Sequence, residues 1–364
     1  MKNGKWTMTG SAMLVGIILA VAGVRAGDLE PGRPPGPTMH TLTEIFDAIA
    51  ALQQQVLDLQ QEVIEPIVQE LDSLQTSHAA LLSDVESLLE VQQVFKWEDG
   101  MVTCPTAQVG DRGYLDGKLY EAVDRDLLIE RRDQGADLTC LCTTLVTDMS
   151  HLFFARLVDE GIHTWDVSSV TNMASMFRAS DFNQPIGHWD VSNVVNMEYM
   201  FSESDFNQPL SSWNVGSVTN MNNMFERSPF NQPIGAWDVG NVRSMQWMFW
   251  RTPFNRRLAN WDVSNVTDML LMFAESAFNE PIGNWDVSNV SDMGWMFAES
   301  PFNQPIGSWN VSNVSNMERM FYNAAAFDQD LTGWCVSQFA SEPYRFSRGS
   351  GLRPTDLPIW GTCP

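Results

Sequence analysis

Tryptophan recurs at a fixed interval through the second half of this chain. Trp165, Trp189, Trp213, Trp237, Trp261, Trp285 and Trp309 stand 24 residues apart, and Trp334 follows after 25. The extra residue falls in the Ala324–Ala326 run. Around each Trp the chain reads W-[DN]-V-x-x-V-x-x-M-x-x-M-F-x-x-x-x-F-N-x-x-[IL], with a full copy, WDVSNVTDMLLMFAESAFNEPI, from Trp261 to Ile282. A degenerate earlier copy begins at Val146 and reaches Phe153. A fixed period of roughly 20–50 residues marks an architecture in which each unit covers the apolar face of the next.

The pattern within one unit predicts its path. Trp189 and Val191 are two apart, so they predict one face of a short strand. Ser192-Asn193 predicts a turn. Val194, Met197, Met200 and Phe201 predict a short helical turn with its apolar side inward. Phe206-Asn207-Gln208-Pro209 then turns the chain back. The expected fold class is an α/β repeat solenoid of eight 24-residue coils over residues 142–334. Stacking aligns equal positions. Asn183, Asn207, Asn231, Asn255, Asn279 and Asn303 are expected to form a buried hydrogen-bonding ladder. Asp166, Asp190, Asp238, Asp262 and Asp286, interrupted by Asn214 and Asn310, are expected to bond within their turns. Calcium is the alternative, with one carboxylate per coil as a thin ligand set.

The segments before the repeat have other signatures. Lys2, Lys5, the apolar run Ala12–Val24 and the small-residue site ending at Ala26 predict an export signal over residues 1–26. Residues 27–40 carry four prolines and predict an extended linker. Residues 41–97 predict a coiled coil. Leu42, Ile45, Ile49, Leu52, Val56, Leu59 and Val63 alternate steps of three and four. A second seam, Leu71, Leu74, His78, Leu81, Val85, Leu88, Gln92 and Phe95, is displaced by one residue, and Pro66 lies at the joint. A kinked rod of several chains fits this pattern, as does an intrachain hairpin bending near Pro66. Mostly β-branched residues at the a positions favour a homo-oligomer through residues 41–97. His78 and Gln92 read as polar residues that set register.

Both ends of a stack need covers. Residues 98–141 lack the period, and YLDGKLYEAVDRDLL predicts a hairpin with Asp116-Gly117 as its turn, running into a helix. Residues 335–364 follow the coils as a C-terminal cap. Cys335 and Cys363 bracket it and are expected to be bonded, a constraint worth about 3–4 kcal/mol. Cys104, Cys140 and Cys142 remain, an odd number, so Cys104 pairs with one of the other two.

Composition narrows the functions. The chain carries 45 acidic against 21 basic residues, a formal net charge of -24. Nucleic acid and anionic membrane surfaces would repel it. With 44% apolar residues it is not a disordered acidic chain. The five His lack metal-ligand spacing, and no phosphate-binding glycine motif is present. The expectation is a non-enzyme with no cofactor.

The motif W-D-V-S-N-V-T-x-M-x-x-M-F-x-x-S-x-F-N-Q-P-I-G resembles the BspA-like bacterial surface-protein repeats, a family related to the leucine-rich repeats. The resemblance covers about residues 142–334 and implies a leucine-rich-repeat-like, right-handed solenoid. It also implies a protein secreted or displayed on a cell surface that binds other macromolecules, with no shared catalytic residues. Residues 102–128 and the ending CVSQF…PIWGTCP resemble flanks of such proteins. In those flanks the cysteine matching Cys142 is the usual one, which implies a Cys104–Cys142 pair with Cys140 as the extra thiol.

The variable positions of the repeat are the candidate site. Two residues after the first Met, the coils carry His151, Ser175, Tyr199, Asn223, Trp247, Leu271, Trp295 and Arg319. The residue after the Met-Phe pair is Trp250 in one coil and Tyr322 in another, and the FNQP consensus breaks at Phe254-Asn255-Arg256-Arg257. Trp247, Trp250, Arg251, Arg256 and Arg257, with Tyr199 and Trp295 in the same column, are expected to form an aromatic–cationic patch that contacts a macromolecular partner, because Trp and Arg are enriched at binding hot spots. The expected function is recognition or adhesion. The alternative is a structural, self-associating envelope or matrix component.

Overall fold

The computed structural model describes residues 42–91, 94–158 and 161–364. The expected export signal and linker lie outside the described residues. The chain divides into two units, Met1–Gln92 and Gln93–Pro364.

In the first unit, α1 (Leu42–Leu59) passes through a π-helical stretch, Gln60–Ile64, into α2 (Glu65–Val91). The helix is continuous through Pro66, so the hairpin alternative does not form. Pro66 has no N–H to donate and its ring would crowd the carbonyl one α-turn earlier. Opening the preceding turn relieves this, and Glu65 N–H reaches back five residues to the Gln60 carbonyl. A π-turn absorbs one extra residue, which accounts for the one-residue displacement between the two seams. Leu52, Val56, Leu59, Val63, Leu71, Leu74, Leu81 and Val85 are all exposed on this helix. The helix ends at Val91, so Phe95 does not extend the seam. It is 3% exposed in the core of the second unit.

The second unit opens with two hairpins. β1 (Lys96–Glu98) pairs with β2 (Met101–Thr103), and β3 (Arg112–Leu115) with β4 (Lys118–Ala122). Asp116 and Gly117 both have positive φ, 51° and 77°, as a tight primed turn requires. α3 (Arg125–Asp133) is capped by the Asp124 carboxylate, which accepts from Leu127 N–H at 2.9 Å. β5 (Leu141–Cys142) then pairs parallel to β4. A Cys104–Cys142 disulfide ties β5 to the end of β2, inside a small core with Phe95, Val102, Leu115 and Tyr120. Cys140 is a free thiol. Glu121 on β4 is held by Arg131 and Arg112, which lower its carboxyl pKa to about 2.

From Val146 onward the coils pile in register. The residue before the first Met pairs with its equivalent in the next coil in one parallel column: Asp148, Asn172, Asn196, Asn220, Ser244, Asp268, Asp292 and Asn316. Within that segment the backbone alternates two kinds of bond. Met149, His151, Phe153 and Ala155 donate to carbonyls of the following coil, whereas Leu152, Phe154 and Arg156 close local turns. The expected helical turn is replaced by these turns, and the pairing runs through this segment instead of the Trp-x-Val segment. The physical cause is a left-handed residue every fourth position. His151, Ser175, Tyr199, Asn223, Trp247, Leu271, Trp295 and Arg319 have φ between 54° and 59°, as do their partners four residues on within 51° to 57°. Such residues cost about 1–2 kcal/mol each. Each turns its N–H along the stack onto a carbonyl of the next coil, for example Trp247 to Leu270 and Arg251 to Ala274.

The core is a set of columns. The Met and Phe columns are fully buried and the repeat Trp side chains are at most 4% exposed. Phe rings stack coil on coil, as in Phe225–Phe249 at 5.9 Å and 12°. The Trp indoles do more than fill space. Trp213, Trp237, Trp261, Trp285, Trp309 and Trp334 each donate Nε1–H to the carbonyl of Ile186, Leu210, Ile234, Leu258, Ile282 and Ile306 in the coil before. Each of these carbonyls also accepts the backbone N–H three residues on in its own coil, as Leu210 O does from Trp213, so the indole supplies its second bond.

The polar columns are turn and ladder chemistry. Asn207, Asn231, Asn255, Asn279 and Asn303 each donate a backbone N–H to the side-chain oxygen of the preceding Asn at 2.8–3.1 Å. This ladder is solvent-facing to half-buried, not buried as expected. Asp190, Asp262 and Asp286 accept the backbone N–H two residues on, each at 3.0 Å.

Asp268 departs from the Asn172, Asn196, Asn220 and Asn316 of its column. Its carboxyl pKa is raised by burial, with Asp292 in the next coil adding to the shift against hydrogen bonds from Leu270 N–H and Gln246. A raised folded pKa means that the ionised form costs stability above it. That cost fades as pH falls into the ordinary carboxylate range, where folded and unfolded chains are both protonated. Asp268→Asn keeps the acceptor for Leu270 N–H and removes the charge. It is expected to raise the melting temperature by about 1–2 °C at pH 7, with the gain shrinking toward pH ~4; a melt series across pH reads it.

Both ends of the stack are covered. The first coil has no predecessor to donate to its carbonyls. Arg125 of α3 fills that role for Asp148 O at 2.7 Å and Ser150 O at 2.8 Å, and Arg132 bonds Leu152 O. At the other end, residues 335–364 hold one more degenerate rung. Arg319, Phe321 and Asn323 donate to Tyr344, Phe346 and Arg348, and Arg345 and Gly349 repeat the two left-handed positions at 55° and 80°. Phe346 meets Phe321 edge-on at 5.3 Å and 87°, ending the stacked ladder. The Cys335–Cys363 disulfide closes this cap.

Candidate binding face

The left-handed positions and the residues around them form one side-chain face along the stack. Each coil contributes the residue two after the first Met, the residue after the Met-Phe pair, and the next one. In successive coils these are Trp247, Trp250 and Arg251; Leu271, Ala274 and Glu275; Trp295, Ala298 and Glu299; Arg319, Tyr322 and Asn323. Large side chains in the first and third of these coils, with Leu271 and Ala274 of the coil between them and Ala298 of the third, leave an open cleft of about 360 Å³. Trp247, Trp250 and Trp295 are its walls, Leu271, Ala274 and Ala298 its floor, and Glu275 and Glu299 its rim.

The walls are fixed by specific contacts. Trp247 meets Trp250 edge to face at 4.8 Å and 82°. Arg251 lies over Trp250 at 4.4 Å and pairs with Glu275 at 2.7 Å. Trp250 Nε1–H also donates to Glu275 Oε1 at 3.2 Å. Arg319 lies over Trp295 at 4.4 Å and over Tyr344 at 4.7 Å. These cation–aromatic contacts hold the rings upright at the edge of solvent.

Of the residues singled out in the sequence, Trp247, Trp250, Arg251 and Trp295 come together here. Tyr199 is two coils away from Trp247, beneath Arg178 at 4.4 Å. Arg256 and Arg257 belong to the Phe-Asn turn, not to this face. Arg256 donates to the Asn231 carbonyl at 2.9 Å, and Arg257, 91% exposed, stands 3.9 Å from Glu280. The columns separate them from Trp247 because their position in the repeat is different. Ala274, Ala298, Glu299 and Arg319 were not singled out together, although the signal was present: a column reading Trp250, Ala274, Ala298, Tyr322 predicts a gap between two bulky side chains.

Among the described residues, no group of three or more His, Cys, Asp or Glu is placed to hold a metal ion, and no helix is long and apolar enough to cross a membrane.

Register-paired coils present side chains in columns, and Trp247, Trp250 and Trp295 interrupt those columns at an aromatic cleft. The chain belongs to the family described as Mycoplasma protein of unknown function, DUF285, which it matches over residues 147–257, 202–275 and 250–355. The last match runs into the segment where the additional rung lies. No curated protein and no solved structure matches the chain.

Proposed function

We propose that this protein is a non-catalytic recognition or adhesion module whose repeats form a right-handed solenoid of the BspA-like, leucine-rich-repeat-related kind. In this reading it is secreted or held at a cell surface and binds a macromolecular partner through the cleft of Trp247, Trp250 and Trp295. The observation that carries the reading is that large aromatic side chains stand half-exposed at the edge of an apolar cleft, where the stacking pattern itself needs none. Two disulfides support an oxidising, exported setting. The net charge of -24 disfavours nucleic acid as the partner.

The test is a binding screen of the purified protein against host matrix proteins, glycans and envelope preparations. Trp247→Ala and Trp295→Ala are each expected to weaken the interaction at least about tenfold, with the melting temperature little changed. Retained binding by both variants would remove the cleft from the function.

The exposed apolar seam of α1 and α2 supports self-association through residues 41–97. Sedimentation is expected to show a small discrete oligomer, and Leu81→Asp to shift it toward monomer. Ordered sheets or filaments would favour the alternative, a structural envelope or matrix component.

A further inference from the structure

Resting on the reading of the cleft as a recognition site, we infer that its occupant is a neutral pyranose ring of a glycan. The polar groups of the cleft point to this ligand. The indole N–H groups of the eight repeat tryptophans, Trp165 included, are all bonded to backbone carbonyls. Trp250 spends its N–H on Glu275. Among the described residues, Trp247 Nε1 and Trp295 Nε1 have no hydrogen-bond partner and are not sealed from solvent. They are two free donors on residues that line the cleft. Glu299 is exposed at the rim and forms no ion pair among the described residues, which makes it a free acceptor. The hydroxyls of a sugar both donate and accept, so this set matches them.

The apolar part of the cleft fits the same ligand. The C–H bonds on one side of a pyranose carry slight positive charge and pack on the negative face of an aromatic ring. Trp247 and Trp295 are two coils apart, about 10 Å at the spacing of paired strands, with Leu271 between them. A volume of about 360 Å³ lies at the lower end of the range for ligand sites, roughly 300–1,000 Å³, and suits a short saccharide.

Charge selects against the other occupants of aromatic clefts. Arg251 already covers Trp250 and Arg319 already covers Trp295, each at 4.4 Å. A cationic ligand would meet a positive charge at both walls. Glu275 and Glu299 on the rim offset the charge of Arg251, Arg319 and Arg227, the last 6.0 Å from the Trp250 ring, so both signs are present at the cleft even though the chain is strongly acidic. An anionic sugar would face the Glu299 carboxylate.

Titration of the full chain with neutral disaccharides (lactose, cellobiose, chitobiose, maltose), a sialylated trisaccharide and a lysine-rich peptide tests the inference. Calorimetry and saturation-transfer NMR are the readouts. At least one neutral disaccharide is expected to bind saturably, with affinity unchanged within about twofold between ~0.05 and ~0.5 M salt. Trp247→Ala, Trp295→Ala and Glu299→Gln are each expected to weaken it at least fivefold. Ala274→Trp fills the cleft without removing a wall, at a position where the preceding coil already carries Trp250, and is expected to abolish binding. Binding of the peptide alone, weakened by salt, would overturn the sugar inference and leave the recognition site standing. Binding of any probe that survives Ala274→Trp and both Trp variants would remove the site itself. No saccharide binding, with a protein partner still lost in the Trp variants, would also overturn the sugar inference alone.

Discussion

Trp237→Ala is expected to lower the unfolding free energy by about 4 kcal/mol. Trp237 is 3% exposed, stacks on Trp213 at 6.5 Å and touches Phe225 at 6.4 Å. Its removal leaves a cavity in the middle of the stack, where neighbours on both sides are pinned by backbone bonds and relax little. The loss has a second part. Trp237 Nε1–H donates to the Leu210 carbonyl at 2.9 Å, beside the Trp213 backbone N–H at 3.1 Å, and only the indole bond is lost. Trp237→Phe separates the two, because it keeps most of the ring. It is expected to cost about 1 kcal/mol through the lost indole hydrogen bond, since the carbonyl keeps the Trp213 N–H. Urea unfolding of the two variants measures both parts. A phenylalanine variant as stable as the parent would show that the indole donor contributes nothing.

The second large effect is expected at the N-terminal end. Arg125→Met together with Arg132→Met keeps much of the apolar stems and removes the donors to Asp148 O, Ser150 O and Leu152 O. Each buried carbonyl left without a donor costs about 1–3 kcal/mol, so the pair is expected to cost about 4 kcal/mol. Coils contact only their neighbours, so the loss should be local. Hydrogen exchange is expected to quicken at the amides of Met149, His151 and Phe153 while those of Met245, Trp247 and Phe249 remain protected. Equal quickening in both groups would mean that the stack unfolds as one unit and that the arginines are not an end cover.

The two predictions rest on different kinds of information. The tryptophan column is written in the sequence as a period. Large apolar residues at a constant interval must share an interior, so their burial follows from the hydrophobic effect alone. The role of their indole N–H groups does not follow, because it depends on which carbonyl stacking brings within reach. The arginine cover was not legible either. Arg125 and Arg132 are ordinary charged residues on a short helix, and only the placement of α3 against the first coil aims them at its open carbonyls.

The same division runs through the candidate site. That Trp247, Trp250 and Trp295 are off-consensus is visible by aligning the coils. That Arg256 and Arg257 lie away from them, and that Ala274 and Ala298 form the floor, depends on which repeat positions share a face. Sequence spacing suggested helix for the segment of Val194, Met197, Met200 and Phe201. The chain instead takes left-handed turns at Tyr199 and at Glu203, because their N–H groups then bond the next coil rather than their own. In the first unit, the displaced heptad at Pro66 left a rod and a hairpin both open. The π-turn at Gln60–Ile64 decides for a continuous helix by taking up the extra residue.

By itself, then, the sequence determined the repeat, its length, the residues that fill its interior and the cysteines that close its C-terminal end. Those are consequences of periodic apolar burial and chain connectivity. Only the tertiary structure decided where backbone bonds run between coils, how the first and last coils are covered and which exposed side chains meet across coils. Each of these depends on groups far apart in the chain being set side by side by the stacking itself.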